Sequence, residues 1–320
     1  MIQPTPPPAT PADGTPQSGD RLALEQLPRI VDEVARLLGL DPTGAARTKF
    51  TNNAVMLLPA SRAVLRIPGS PVMRARVPAV LAAAQWYADH DLPAVRLWPG
   101  LTQPLQIGPH LVTVWQQVTP GGPDPHPTDL GTILRAIHTI DAPIPDLPQW
   151  RITDGIRRRV THADTIDEET RDYLAAELRM VEASLTGLVE IPPLIPPGVI
   201  HGDAHTGNLI PSPTGPVICD FDATSIGPRE WDLTPAAVGS LRFAYPVNPH
   251  RALVDTYGLD VTTWPGFPAL RRLRELQLVT SVLPTLDINP ALRPQWRHRL
   301  NTFRSDDCHA KWTPYAEVSA

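Results

Sequence analysis

The stretch that decides the fold is VIHGDAHTGNLIPSPTGPVICDFD, Val199–Asp222. Two short apolar runs, Val199–Ile200 and Val217–Cys219, each deliver a carboxylate at or just past their C-terminal end, Asp203 and Asp220. Between them lie a polar turn carrying His205 and Asn208, the pair Leu209–Ile210 and a hairpin-like PSPTGP connection. Apolar runs bounded by glycine and proline read as short buried strands joined by turns. Asp and Asn also cap turns through local hydrogen bonds. Two carboxylates, two histidines and an amide gathered at strand ends nevertheless have the make-up of a site.

The whole chain sets the bounds. Its 320 residues suffice for one large or two ordinary domains. The 40 prolines predict many short elements with rigid connections, because proline is disfavoured in helix interiors and central strands. Lys and Arg number 28 against 33 Asp and Glu, a net charge of −5, which lacks the basic excess of a nucleic-acid binder. Cys219 and Cys308 are the only cysteines, so a disulfide scaffold is not expected. No apolar run approaches the roughly 20 residues of a membrane span. The start, MIQPTPPPATPADGTPQSGD, has neither the basic nor the apolar region of a secretory signal. The expectation is a cytoplasmic enzyme, monomer or homodimer, with no membrane or nucleic-acid partner.

Residues 1–19 read as a disordered Pro-rich tail. Leu27, Ile30, Val31, Val34, Leu37 and Leu38 recur at helical spacing, with Gly39 as a stop. Strands are predicted at 54–58 and 63–67, an Ala-rich helix at 78–90, and three further strands at 94–97, 105–107 and 111–118. That order describes a small antiparallel sheet with a helix against it, the first lobe of an α+β protein, over 20–118. TPGGPDPHP, 119–127, reads as a hinge loop. A mainly helical lobe follows over 128–303, and an irregular tail over 304–320. Within it Thr165 and Glu168 resemble a capping box.

Asp203 and Asn208 lie five residues apart on one turn. Phosphoryl transfer from a nucleotide asks for such a set: one carboxylate for the proton of the attacking hydroxyl, an amide oxygen and a second carboxylate for magnesium. Magnesium takes hard oxygen ligands and retains several waters, so an Asn–Asp pair plus phosphate is adequate. The competing reading is a metal-dependent hydrolase built from His201, Asp203, His205, Asp220 and Asp222. It gives Asn208 no role.

HGDAHTGNLI followed by VICDFDATSIGPREWDL resembles the aminoglycoside phosphotransferase family, the small-molecule branch of the bilobal protein-kinase-like fold. The resemblance extends more weakly over residues 47–300, through LRIPG, WYADHDLPAVRL, VTVWQQV and LGTILRAIHTI. It implies that Asp203 is the catalytic base and that Asn208 and Asp220 are metal ligands. Asp222 would contact a second magnesium or its water, or cap the loop. The hinge at Gln116, Gln117 and Val118 would carry adenine. His201 would fix the turn, Asp232 would cap or brace it, and His205 would either do the same or touch metal-bound water or phosphate. The implied cofactors are ATP or GTP with Mg2+. The implied acceptor is a small-molecule hydroxyl, as in aminoglycosides, other antibiotics, choline, sugars or amino-alcohols.

The first lobe departs from the pattern. Arg66 stands where relatives place a phosphate-holding Lys, and its fork is not equivalent to an ammonium. Lys49 is the nearest lysine and precedes the first predicted strand. The 78–90 helix has no Glu, and Asn52–Asn53 would have to form the phosphate-covering turn. These departures motivate a second alternative, a non-catalytic kinase-like binding protein. Candidate acidic contacts for a cationic acceptor are Asp154, Glu168, Glu169, Asp172, Asp306, Asp307 and Glu317.

Overall fold

The computed structural model describes residues 21–50, 52–143 and 146–318; the tail expected at 1–19 lies outside them. The described chain divides into two compact units.

The first unit ends at Val77 and resumes over Leu97–Gln117. It holds helix α1 (Leu27–Leu38), strands β1 (Ala46–Phe50), β2 (Asn53–Leu58) and β3 (Ala63–Pro68), the single turn α2 (Pro71–Arg74), then, beyond helix α3 (Val77–Asp89), strands β4 (Leu105–Ile107) and β5 (His110–Gln116). Helix α1 stops as predicted at Gly39, whose φ of 65° is the left-handed conformation that glycine adopts without cost. The five strands form one antiparallel sheet in the order β1-β2-β3-β5-β4. Alternation sets its faces. Ala54, Met56, Leu58, Leu65 and Ile67 point to a core shared with Ile30, Val31 and Val34 of α1. The opposite face carries a cross-strand row in which Lys49 pairs with Val55, Val55 with Arg66, and Arg66 with Thr113.

Two predictions fail here. Strand β1, ARTKF, is not expected from its pattern; it is an exposed edge strand with no apolar alternation, held by its backbone ladder to β2. Lys49 therefore lies on a strand. The segment 94–97 is not a strand. It makes only isolated bridges, Ala94 to Ile218 and Leu97 to Trp115.

The second unit comprises Pro78–Arg96 and the chain from Val118 onward. After α3 come α4 (Pro127–His138), α5 (Ile152–Thr161) and α6 (Glu168–Gly187). Four short strands follow, β6 (Gly198–Ile200), β7 (Leu209–Ile210), β8 (Val217–Ile218) and β9 (Ser225–Gly227). Helices α7 (Glu230–Arg242), α8 (Pro249–Tyr257), α9 (Phe267–Thr280), α10 (Arg293–Arg304) and the short α11 (Tyr315–Val318) complete it. Strand β6 pairs with β9 and β7 with β8, both antiparallel.

The cap of α6 is Asp167, whose Oδ1 accepts from Thr170 N at 2.7 Å. Thr165, predicted for that role, instead donates to Leu283 O. The helices share a core of Ile156, Val160, Leu178, Leu273, Leu276 and Phe303. Trp312 joins it, 2% exposed, so the segment after α10 is bound to the body. No helix among the described residues is long and apolar enough to cross a membrane.

Candidate active site

The loop between β6 and β7 is held from below by a buried carboxylate. Asp232, in the first turn of α7, is 0% exposed. Its Oδ2 accepts from His201 N at 2.7 Å and its Oδ1 from Gly202 N at 2.7 Å. His138 Nε2 lies 3.2 Å from Oδ2, and His138 Nδ1 is 2.8 Å from the Tyr257 hydroxyl. A neutral His138 protonated on Nε2 satisfies both contacts, with Tyr257 donating. Trp231 Nε1 donates to Gly202 O at 2.9 Å, so both backbone groups of that residue are spoken for. Gly202 has φ +84°, and a Cβ there would fall 2.1 Å from Ala223 O. The turn closes only around glycine.

This brace presents Asp203. Its Oδ1 lies 3.4 Å from Arg274 Nη1 on α9, and its Oδ2 3.7 Å from His205 Nε2. Burial works against its charge, but the neighbouring His205 imidazole and the Arg274 guanidinium outweigh it, leaving the carboxyl well below the usual range. Asp203 is ionised at neutral pH, and its side chain is still 43% exposed. His201 faces inward: Nε2 is 2.9 Å from Cys219 O, and Nδ1 is 3.4 Å from Asp203 N. Both ring nitrogens serve the backbone of the site.

Asn208 and Asp220 flank the β7–β8 hairpin. Asn208 Nδ2 donates to Asp203 O at 2.9 Å, and Cys219 N donates to Asn208 O at 2.9 Å. That second bond brings the residue before β7 next to the segment that carries Asp220. Asp220 is one of the few non-glycine residues at positive φ, with φ 68° and ψ 67°. Asp enters this region more readily than most residues, and such conformations gather at functional sites. Phe221, next in the chain, is buried and stacks on Tyr87 of α3 with centroids 4.8 Å apart. Asp222 is half-buried in the turn that follows.

The donor set Asn208–Asp220 is all oxygen and thus fits a hard divalent cation that shares its remaining positions with phosphate and water. Among the described residues, no three His, Cys, Asp or Glu side chains converge to hold a metal ion.

The remaining candidates fall on the first unit and its edge. Arg66 lies on the row with Lys49 described above. Asn52 is the turn between β1 and β2, its carbonyl accepting from Gly69 N at 2.9 Å. Asn53 is already on β2 and buried, opposite Pro68. Gln116 ends β5, with its Nε2 on Leu97 O at 3.0 Å. Gln117 N donates to Arg62 O at 2.8 Å, so that amide is spent. Val118 follows it, half-buried.

The acids proposed for a cationic acceptor are exposed or already bonded. Asp154, Glu168, Glu169, Asp172 and Glu317 are exposed. Asp306 is paired to Arg271 at 2.5 Å, and Asp307 Oδ1 accepts from His309 N and Ala310 N. Sequence reasoning missed Arg274, His138 and Tyr257. Each comes from a distant helix and carries no local signal; Arg274 is one of several polar residues on α9.

The profile of the phosphotransferase enzyme family (APH) matches residues 46–276. The chain belongs to that family. Solved structures agree on the fold. An amicoumacin kinase, hAmiN, in complex with AMP-PNP, Ca2+ and Ami has 13% identity and a TM-score of 0.65, covering 91% of this chain and 98% of that one. A choline/ethanolamine kinase family protein from Mesorhizobium loti has 19% identity and a TM-score of 0.59, covering 86% and 94%. The GDP and kanamycin complex of an aminoglycoside phosphotransferase, APH(2")-IIIa, has 14% identity and a TM-score of 0.58, covering 88% and 98%. No curated protein sequence matches the chain. The architecture is the α+β protein-kinase-like fold.

Proposed function

We propose that this family member transfers the γ-phosphoryl group of ATP or GTP to a hydroxyl of a small molecule. The observation that carries the reading is the Asp203 carboxylate, held ionised on a loop whose two preceding amides are bound to buried Asp232. In the reaction the acceptor oxygen forms the new P–O bond and the bond to the nucleoside diphosphate breaks. The acceptor proton goes to Asp203, which orients the hydroxyl throughout. Asn208 and Asp220 would hold a magnesium ion, which would supply neutralisation of phosphate charge. Asp222, half-buried in the turn after Asp220, would contact a second magnesium or its water, or cap the loop. The exposure of His205, 3.7 Å from Asp203 Oδ2 and 43% exposed, supports a role for it toward phosphate.

Arg66 and Asn52 of the first unit are the candidates for phosphate contacts, and Gln116, Gln117 and Val118 for contacts to the base; Asn53, buried on β2, is left out of this role. His201 is a scaffold residue, because both of its nitrogens are occupied by backbone. That occupation also removes one ligand from the hydrolase alternative. The test is Asp203→Asn. Magnesium-dependent protection against heat by ATP or GTP should persist while acceptor-dependent release of nucleoside diphosphate is lost. Protection by zinc and not by either nucleotide would replace this reading with the hydrolase.

A further inference from the structure

The main chain of Asp203 is fixed from within its own loop. Its N–H donates to His201 Nδ1 at 3.4 Å, and its carbonyl accepts from Asn208 Nδ2 at 2.9 Å. The two preceding amides end on Asp232. What these bonds leave undecided is the carboxylate, because none of them restrains the side-chain torsions. That choice falls to a helix 71 residues further on. Arg274 Nη1 reaches Oδ1 at 3.4 Å, whereas on the other oxygen His205 Nε2 stands off at 3.7 Å.

Arg274 is itself held. The same Nη1 donates to Gln277 Oε1 at 2.6 Å, about one turn further along α9. An Nη carries two hydrogens, so one nitrogen serves both acceptors. Leu270, Leu273 and Leu276, all 0% exposed, lock this stretch of α9 into the core. The Arg274 side chain is 12% exposed and that of Asp203 is 43% exposed. The acid thus faces the solvent side of the pair and the cation stands behind it. A charge-assisted bond from a sheltered guanidinium orients a carboxylate more firmly than an exposed ion pair does.

Building on the phosphotransferase reading, we propose that Arg274 is a positioning residue, oriented by Gln277, that fixes the rotamer of Asp203 and occupies Oδ1, so that Oδ2 takes the proton of the acceptor. At that atom the acceptor O–H bond breaks and an Oδ2–H bond forms. The acceptor oxygen makes the new bond to phosphorus, and the nucleoside diphosphate leaves with the electron pair of the old one. Arg274 touches neither acceptor nor nucleotide and acts only through Asp203. A reacting group displaced by about 1 Å loses about 100-fold in rate.

The test follows release of nucleoside diphosphate from MgATP or MgGTP by the full chain, with water as acceptor and with added glucose, glycerate, choline or kanamycin. Arg274→Gln should lower kcat by about 100-fold and leave the KM for nucleotide unchanged. Arg274→Lys should recover part of the rate. Guanidinium, added well below denaturing concentrations, should recover part of it in Arg274→Ala, which a merely structural role would not allow. Gln277→Leu keeps the cation and should cost about fivefold, the equivalent of one ordinary hydrogen bond. An unchanged kcat in Arg274→Gln would overturn the inference. So would a loss confined to the KM of an added acceptor, or one matched by a lower urea midpoint and untouched by guanidinium. Asp203→Asn separates the two claims. Release lost there but kept in Arg274→Gln overturns the role of Arg274 alone, whereas release that survives Asp203→Asn, or is absent from the wild type, overturns the phosphotransferase reading beneath it.

Discussion

Replacing Asp232 by Asn tests whether the catalytic loop is held from the core. The substitution keeps the shape of the side chain and turns one oxygen into an NH2 group. Oδ1 serves Gly202 N, while Oδ2 serves His201 N and His138 Nε2. Either orientation of the amide therefore sets a donor against a buried backbone N–H. His138 can switch tautomer and accept, but a main-chain amide cannot. One unsatisfied buried donor costs about 1–3 kcal/mol, and losing the charge on the remaining bonds adds to it. The expected destabilisation is about 2–4 kcal/mol. It should appear as a lower urea midpoint at unchanged slope. The loop carries Asp203, so turnover should also fall, by about 100-fold for a displacement near 1 Å. Nucleotide affinity should hold, since Asp232 faces the loop from the core side. A variant within about 0.5 kcal/mol of wild type, the scatter of ordinary surface substitutions, with unchanged turnover would refute the reasoning.

Gly202→Ala should be more severe than Asp232→Asn, because the added methyl meets a backbone oxygen at 2.1 Å and the residue sits at φ +84°; a melting temperature near that of wild type would show that the turn can yield. Trp312→Ala should cost about 3–5 kcal/mol in urea unfolding, since the ring lies under Arg242 at 4.6 Å and Arg299 at 5.3 Å and bonds Thr302 Oγ1 through Nε1. A loss below about 1 kcal/mol would mean that the last segment packs without consequence. Asp260 titrates low: burial raises its pKa, but bonds from Thr262 and the charge and hydrogen bond of His250 outweigh that. Its contribution to stability is present above the ordinary Asp range and is lost as pH falls through the depressed folded-state value. The stability gap between wild type and Asp260→Asn should therefore shrink on acidification from pH 7, and a pH-independent gap would count against the assignment.

The part of the site legible in the sequence is the local part. Asp203 and Asn208 share one turn, and a short hairpin returns the chain to Asp220, so backbone geometry over a few residues brings them together. The alternation of apolar residues in β2 and β3 likewise marks which faces of those strands are buried. Edge strand β1 is hidden because it buries nothing and is held by main-chain bonds that leave no side-chain period. Long-range packing settles the rest. Asp232 meets His138, 94 residues away, and Asp203 meets Arg274, 71 residues away. Packing also turns the acids near the C-terminus toward arginines, main-chain amides or the solvent. Periodicity reports which side of an element is apolar; a polar pair formed across the core contributes one residue to each element and leaves no repeating mark in either.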